Sequence, residues 1–255
     1  MDVIARVKKL LETEQTFCLA TVIASDSAGI APGSKAIVLG DGTVDSGLNS
    51  THLDPAIRDR ALAVLDRKKS GVFEIDDGIR IFFNVLSSEA RLLICGAGHI
   101  AIPLARFAGD VGFSVTVLDD RSDFAHSTRF PDVATIAENF TIALRDMPLG
   151  PSTYVVIITR GHEHDVDCLM EILPKQAAYV GLIGSRRRVS FVLQWLEEKG
   201  FSRQRLGEVF TPIGTPIGAE SPEEIALSIV SELVCVRRKG GAQARSLRSA
   251  VGIEL

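Results

Sequence analysis

An apolar run, Leu92-Leu93-Ile94-Cys95, ends abruptly in Gly96-Ala97-Gly98-His99-Ile100-Ala101. A buried strand that runs straight into glycines and then into a helix is the opening of a nucleotide-binding βαβ unit. The first glycine makes the tight turn, and the second lets the backbone lie close to a pyrophosphate. Ala101 takes the small third position, where the new helix packs on the sheet. The helix N-terminus presents N–H groups and a positive dipole end to phosphates. Residues 113–118 form a second apolar run ending in Asp119-Asp120, about 20 residues beyond the glycines, where a ribose hydroxyl pair would meet a carboxylate. Glycines, helix and acidic strand end in this order predict a Rossmann-like fold. The same glycines could also serve only to start the sheet's first crossover.

The chain has 255 residues and a formal charge of -4, enough length for a sizeable core in one or two domains and no global attraction to nucleic acid or an anionic membrane. No stretch reads as a bilayer span, because the longest apolar region, 92–105, contains His99 and Pro103. The first residues lack a basic region followed by an apolar core, so no secretory signal is expected and a cytoplasmic location is. Cys18, Cys95, Cys168 and Cys235 are scattered, which predicts buried free thiols rather than a zinc knuckle or redox pair.

Residues 2–14 carry apolar side chains on one helical side. Strands are expected at 17–24 and 35–39, with a glycine- and serine-rich loop between them and a hairpin at Asp41-Gly42. Asp54-Pro55 signals a helix to about Lys69, with Asp54 as cap. A second hairpin, 71–75 and 79–86, turns at Asp76-Asp77-Gly78. This is a small N-terminal α+β domain, 1–88. The remainder, 89–255, alternates strands (91–95, 113–118, 133–137, 153–158, 178–182) with helices (99–110, 163–173, 186–199, 222–238), predicting an α/β domain with a parallel sheet covered by helices on both faces. The tail after Gly240 shows no apolar period and reads as loose or packed on a partner subunit.

Ligands of open α/β sheets bind outside the carboxyl ends of the strands. The candidates there are Gly96, Gly98 and His99; Asp119 and Asp120; Arg160, Gly161, His162 and His164; and Gly184, Ser185, Arg186 and Arg188. His99 could contact a phosphate or simply hold the turn. His162 and His164 fit a capping or polar loop, a substrate or nucleotide contact, or, with Asp165 or Glu163, a divalent metal. In Arg186-Arg187-Arg188 the three side chains cannot share one helix face; one or two could point into the cleft and meet a phosphate, the alternative being a solvated face or salt bridges. Ser221-Pro222-Glu223-Glu224 matches a capping box, which leaves Glu220 to face a cleft. No nucleophile elbow or hydrolase triad is present.

These segments together resemble the XdhC/CoxI family, whose members assist maturation of molybdenum hydroxylases such as xanthine dehydrogenase. The resemblance rests on the glycine turn, Val115 to Arg121, the Thr159 to Asp165 segment, the Gly181 to Arg188 segment and Pro212 to Ala226. It implies a chaperone-like protein that binds or inserts the molybdenum cofactor (molybdopterin), with a molybdenum hydroxylase as partner. A homodimer is expected on the separate ground that two-fold dimers are the commonest assemblies, with the tail after Gly240 as candidate interface. In the N-terminal domain the family's usual Gly-Gly-Cys segment is replaced by Asp45-Ser46-Gly47-Leu48-Asn49-Ser50, and its later cysteine-glycine-glycine stretch by Asp76-Asp77-Gly78. If family thiols hold molybdenum or relay sulfur, this chain does not do so in the same way. Two alternatives stay open: an NAD-dependent oxidoreductase, or a module sensing NAD or a related nucleotide that has lost the family cysteines.

Overall fold

The computed structural model describes residues 3–26, 29–76 and 78–249. The expected turn at Asp77, part of the loop after residue 24 and the chain past 249 lie outside the described residues. The chain divides into two compact units, Met1–Ser88 and Glu89–Leu255.

The first unit runs α1 (Val3–Glu12), β1 (Phe17–Ala24), β2 (Lys35–Leu39), β3 (Val44–Ser46), α2 (Leu53–Arg67), β4 (Gly71–Asp76), β5 (Ile79–Leu86). Its sheet has the order β3-β2-β1-β5-β4, with every pairing antiparallel. Alternation along β1 splits the core. Cys18, Ala20 and Val22 share one cluster with Ile57, Ala61 and Val64 of α2, while Phe17 joins Leu10 of α1 in another. The hairpin at Asp41-Gly42 forms as expected: Gly42 adopts φ +85°, and the Asp41 carboxylate accepts from Thr43 N–H at 2.8 Å. Asp54, however, is not the cap of α2. The helix starts at Leu53, and the Asp54 carboxylate instead accepts from the N–H groups of Leu48 (2.8 Å) and Ser50 (3.2 Å). Ser50 Oγ takes the N–H of Leu53, so the helix entry is satisfied from outside.

The second unit runs β6 (Arg91–Cys95), α3 (Ala101–Asp110), β7 (Ser114–Asp119), β8 (Ala134–Ala137), α4 (Phe140–Arg145), β9 (Thr153–Ile157), α5 (His162–Ile172), β10 (Tyr179–Leu182), α6 (Arg186–Glu198), α7 (Arg203–Leu206), α8 (Pro222–Lys239), α9 (Gly241–Ser249). Its strands are all parallel in the order β10-β9-β6-β7-β8, and Phe210 bridges Gly181 beyond β10. Side chains of β6 leave alternately to two buried layers. Leu92 and Ile94 pack with α3 and α8, through Leu104, Ile229 and Leu233; Leu93 and Cys95 pack with α5 and α6, through Leu169, Val192 and Leu196. Burial on both faces is why these strands read as unbroken apolar runs. From β6 the chain moves by α3 to β7 on one side, and later returns to β9 on the other. The end of β6 is therefore the topological switch point, where a crevice opens.

The expected capping box is present: Ser221 accepts from Glu224 N–H, and Glu224 reaches back to the cap. The tail after Gly240 is not loose through its described part. Residues 241–249 are helical, Ala244 is buried in the core shared with α8, and the Arg245 guanidinium lies 3.9 Å from the Phe210 ring centre.

Candidate functional site

Gly96, in the turn after β6, has φ +112°, and a Cβ there would come within 2.5 Å of the Ile158 carbonyl oxygen. Both the conformation and the space demand glycine. Gly98 is different. Its φ is not in the left-handed region, and an added Cβ would meet nothing within 4 Å. The turn at Gly98 thus lies beside open space. Next to it α3 begins with Ile100 at its cap, which supplies no side-chain hydrogen bond, and His99 is exposed. Helix α5 likewise starts from Gly161 without a side-chain cap, whereas α4, α6, α7 and α8 are capped by Asn139, Ser185, Ser202 and Ser221. In α3, Ala101 N–H already donates to the Gly98 carbonyl at 3.2 Å and Pro103 has no N–H, so it is chiefly the first turn of α5 that is left for solvent or an anion.

Asp119, the last residue of β7, is 1% exposed. Its carboxylate accepts from Ala97 N–H (2.7 Å), Arg121 N–H (3.1 Å), Arg121 Nε (2.8 Å) and Arg121 Nη2 (2.9 Å). Burial pushes its pKa up, but the Arg121 and Ala97 donors outweigh that and hold it below the ordinary value. The guanidinium of Arg121 also lies 3.6 Å from the Phe124 ring centre. Asp119 ties the end of β7 to the glycine turn and faces inward. Asp120 faces outward and forms a two-pronged pair with Arg160, one arm at 2.7 Å. That pairing holds the Asp120 carboxyl at about 2.

The Thr159 to Asp165 segment is organised around a buried carboxylate. Asp165, 0% exposed, accepts from Thr159 Oγ1 at 2.7 Å and from Arg188 Nε at 2.6 Å. Arg188 Nη2 also donates to the Thr159 carbonyl at 3.1 Å. Burial raises the Asp165 pKa above the ordinary carboxylate value, against the opposing Thr159 and Arg188 bonds. Arg188 is thereby committed to joining α6 to α5, while Arg186 and Arg187 are exposed. Ser185 accepts from Arg188 N–H as the helix cap, and Gly184 leaves room for the Val189 and Arg188 side chains. His162 is exposed with its ring edge-on to Phe191, centroids 5.1 Å apart; His164 packs 5.3 Å from Phe140. The two histidines diverge because they lie in the first turn of α5. Among the described residues, no three His, Cys, Asp or Glu side chains are grouped to hold a metal. Glu220 is exposed, and its N–H donates to Glu224 Oε2 at 2.8 Å.

Glu232, buried on α8, was not expected from the sequence, although an acidic residue inside the apolar run of that helix was its signal. It accepts from Tyr179 OH and from Gly214 N–H (3.2 Å), pinning the proline- and glycine-rich loop 211–218 to the core. Gly181 is small because Tyr179 leans over it: an added Cβ would stand 2.5 Å from the Tyr179 hydroxyl. A cavity of about 370 Å³ lies away from the crevice, beside Tyr179, Arg205, Phe210 and Arg245.

In the first unit, Asp45 accepts from Arg6 Nε (2.6 Å) and Nη2 (2.5 Å), and Asp54 holds the following loop. Cys18, Cys95 and Cys168 are buried and Cys235 half-buried, all as free thiols. Burial pushes Cys18 up to about 12 and Cys168 well above the ordinary thiol range, so both stay protonated. Among the described residues, no helix is long and apolar enough to cross a membrane.

Comparison with known proteins agrees with this architecture. Residues 92–233 match the model of the XdhC Rossmann domain, and residues 10–76 that of the XdhC and CoxI family. The chain is 28% identical, over 93% of its length, to the uncharacterized protein YqeB of Escherichia coli. It is 31% identical, over 64% of its length, to a Bacillus subtilis protein described as a probable xanthine dehydrogenase component. It spans about half the length of these relatives, 46% and 48%. A solved structure described as a xanthine dehydrogenase from Bacillus halodurans shares the fold, with TM-score 0.56 at 22% identity over 98% of this chain and 99% of that one. With its Rossmann unit matched from end to end of the sheet and its first unit matched separately, the chain belongs to the XdhC and CoxI family.

Proposed function

We propose that this protein is an accessory factor in maturation of a molybdenum hydroxylase of the xanthine dehydrogenase kind, and that its Rossmann unit holds the phosphate-bearing end of the molybdenum cofactor or a related nucleotide. Family membership supports the role. The observation that carries the ligand assignment is Gly98: a glycine in a nucleotide turn, not required by its own φ, with open space where a side chain would stand. The uncapped start of α5 adds donors on the same edge of the sheet.

The residues present suit one end of that cofactor. A phosphate or pyrophosphate finds backbone N–H groups, His99 and Arg160. The molybdenum end finds no fully exposed thiol among Cys18, Cys95, Cys168 and Cys235, and no site for it is assigned. When bound, the cofactor supplies the molybdenum chemistry; the chain's residues bind and orient its phosphates. An exposed His162 at the rim is compatible with hydride-transfer chemistry, but Asp165 and Arg188 beside it are occupied with each other, which favours binding over catalysis. Homodimerisation belongs to the same proposal on the general ground that two-fold dimers are the commonest assemblies.

Co-expression with a xanthine dehydrogenase-type hydroxylase tests the role. Native mass spectrometry of the captured chain should show a pterin or nucleotide adduct, and the hydroxylase should gain activity. A hydroxylase that matures equally well without the chain contradicts the proposal. Sedimentation equilibrium showing a monomer at micromolar concentration contradicts the dimer.

A further inference from the structure

Strands β7 and β9 pair with β6 from opposite sides. Asp120, one residue past β7, and Arg160, three past β9, therefore stand on either flank of the glycine turn. Their ion pair bridges the two strands that border β6, and Arg160 Nη1 also lies 4.0 Å from Asp119 Oδ1. A dinucleotide laid over the switch point has to pass this bridge. Asp119, the carboxylate that strand-end spacing offers to a ribose, is 1% exposed and already holds four donors. Asp120 and Arg160 differ in the property that matters: their side chains are 23% and 42% exposed, and their main partner is each other, in a pair that solvent reaches. Solvent reaches both partners, so a ligand can compete for either side of the pair.

We infer that Asp120 and Arg160 are the residues that read the ligand, by exchanging partners: a diphosphate takes the Arg160 guanidinium, and the released Asp120 carboxylate accepts the hydroxyls of a ribose diol. This rests on the nucleotide assignment of the crevice proposed above. No covalent bond changes; one ion pair is replaced by a guanidinium–phosphate pair and two hydroxyl-to-carboxylate hydrogen bonds. A guanidinium suits the first because its planar fork matches phosphate oxygens. Arg121 cannot stand in for Arg160, since it is clamped to Asp119 and stacked on Phe124. For the same reason a ribose 2′-phosphate would face Asp120 without a cation to meet it. The ligand class is thus a nucleoside diphosphate, or a dinucleotide, with an unmodified ribose diol.

Calorimetry on the full chain with three probes tests the exchange: ADP, 2′,3′-dideoxy-ADP and inorganic pyrophosphate. Asp120→Asn should weaken ADP on the order of tenfold through loss of charged hydrogen bonds. The same variant should bind pyrophosphate and the dideoxy analogue up to about fivefold more tightly, because Arg160 is no longer held. Arg160→Gln should weaken all three. A gain for one probe beside a loss for another is not what a damaged fold produces. The exchange is overturned if Asp120→Asn weakens all three probes alike, or if Arg160→Gln leaves pyrophosphate binding unchanged. In the wild-type chain, the Arg160 Nε–H resonance should move on adding pyrophosphate and stay still with adenosine; a resonance that pyrophosphate does not move also overturns it. Absence of binding by the wild type to any probe is a different result, which removes the nucleotide assignment itself and the exchange with it.

Discussion

Replacing Arg188 by methionine (R188M) should damage the second unit far more than any change at its neighbours in the arginine run. The substitution keeps the aliphatic stem but leaves Asp165, 0% exposed, without its guanidinium. Breaking a buried pair from one side costs about 3–5 kcal/mol. The Arg188 side chain is 25% exposed, so water softens the loss and the lower end, about 3 kcal/mol, applies. For a unit of this size that corresponds to a fall in Tm of roughly 6–12 °C. Arg186→Ala, at an exposed position, should stay within about 0.5 kcal/mol. Trp195, the only tryptophan, lies on α6, so fluorescence-detected denaturation reports this unit. The penalty should also depend on pH. Burial already raises the Asp165 pKa, and removing Arg188 raises it further. A raised carboxyl contributes stability that is lost as pH rises through its folded pKa, so R188M should be worst at alkaline pH and recover as pH falls. An R188M protein that unfolds with the wild type at pH 8 would refute the account of Asp165 as a buried, Arg188-dependent junction.

Gly96→Ala should destabilise by about 3 kcal/mol or more, since it adds strain at φ +112° and a clash with the Ile158 carbonyl, whereas Gly98→Ala should leave the denaturation midpoint unchanged. Tyr179→Phe should cost about 1–3 kcal/mol by removing a donor from buried Glu232, measured in the same assay. Asp120 is held at about 2, below its ordinary value, so the Arg160 pair contributes stability above roughly pH 4 that is lost as pH falls towards 2. An Asp120→Asn variant should lack that part of the acid dependence. Thiol titration of the native chain should find Cys18, Cys95 and Cys168 unreactive and at most Cys235 slowly modified.

Much of the second unit could be read from residues because burial on both faces turns each strand into an apolar run, and β6, β7 and β9 fall within one residue of the expected bounds. Helices α4 and α7 escaped notice for a length reason: six and four residues are too few for a 3.6-residue period to show, although Asn139 and Ser202 were available as cap signals. The tail helix α9, GAQARSLRS, has too few apolar residues to show a stripe, although Ala244 is buried. Pro55 lies in the first turn as expected, but Asp54 misled as the cap because the helix starts one residue earlier and its entry is satisfied by Ser50. In the crevice, the strand-end location of each candidate was legible, but its partner was not. The pairs Asp120 with Arg160 and Asp165 with Arg188 join residues 40 and 23 positions apart, and only the strand order brings them together. That is why Arg188, expected to face a ligand, is structural, and why Asp119 is shielded by Arg121.

Titration of ADP into the wild type and Gly98→Asp tests most directly whether the crevice beside Gly98 takes a phosphate-bearing nucleotide. A carboxylate placed in the open space at Gly98 should abolish binding by charge and bulk while leaving the denaturation midpoint within about 0.5 kcal/mol of wild type. Binding of equal strength by both proteins would contradict the claim.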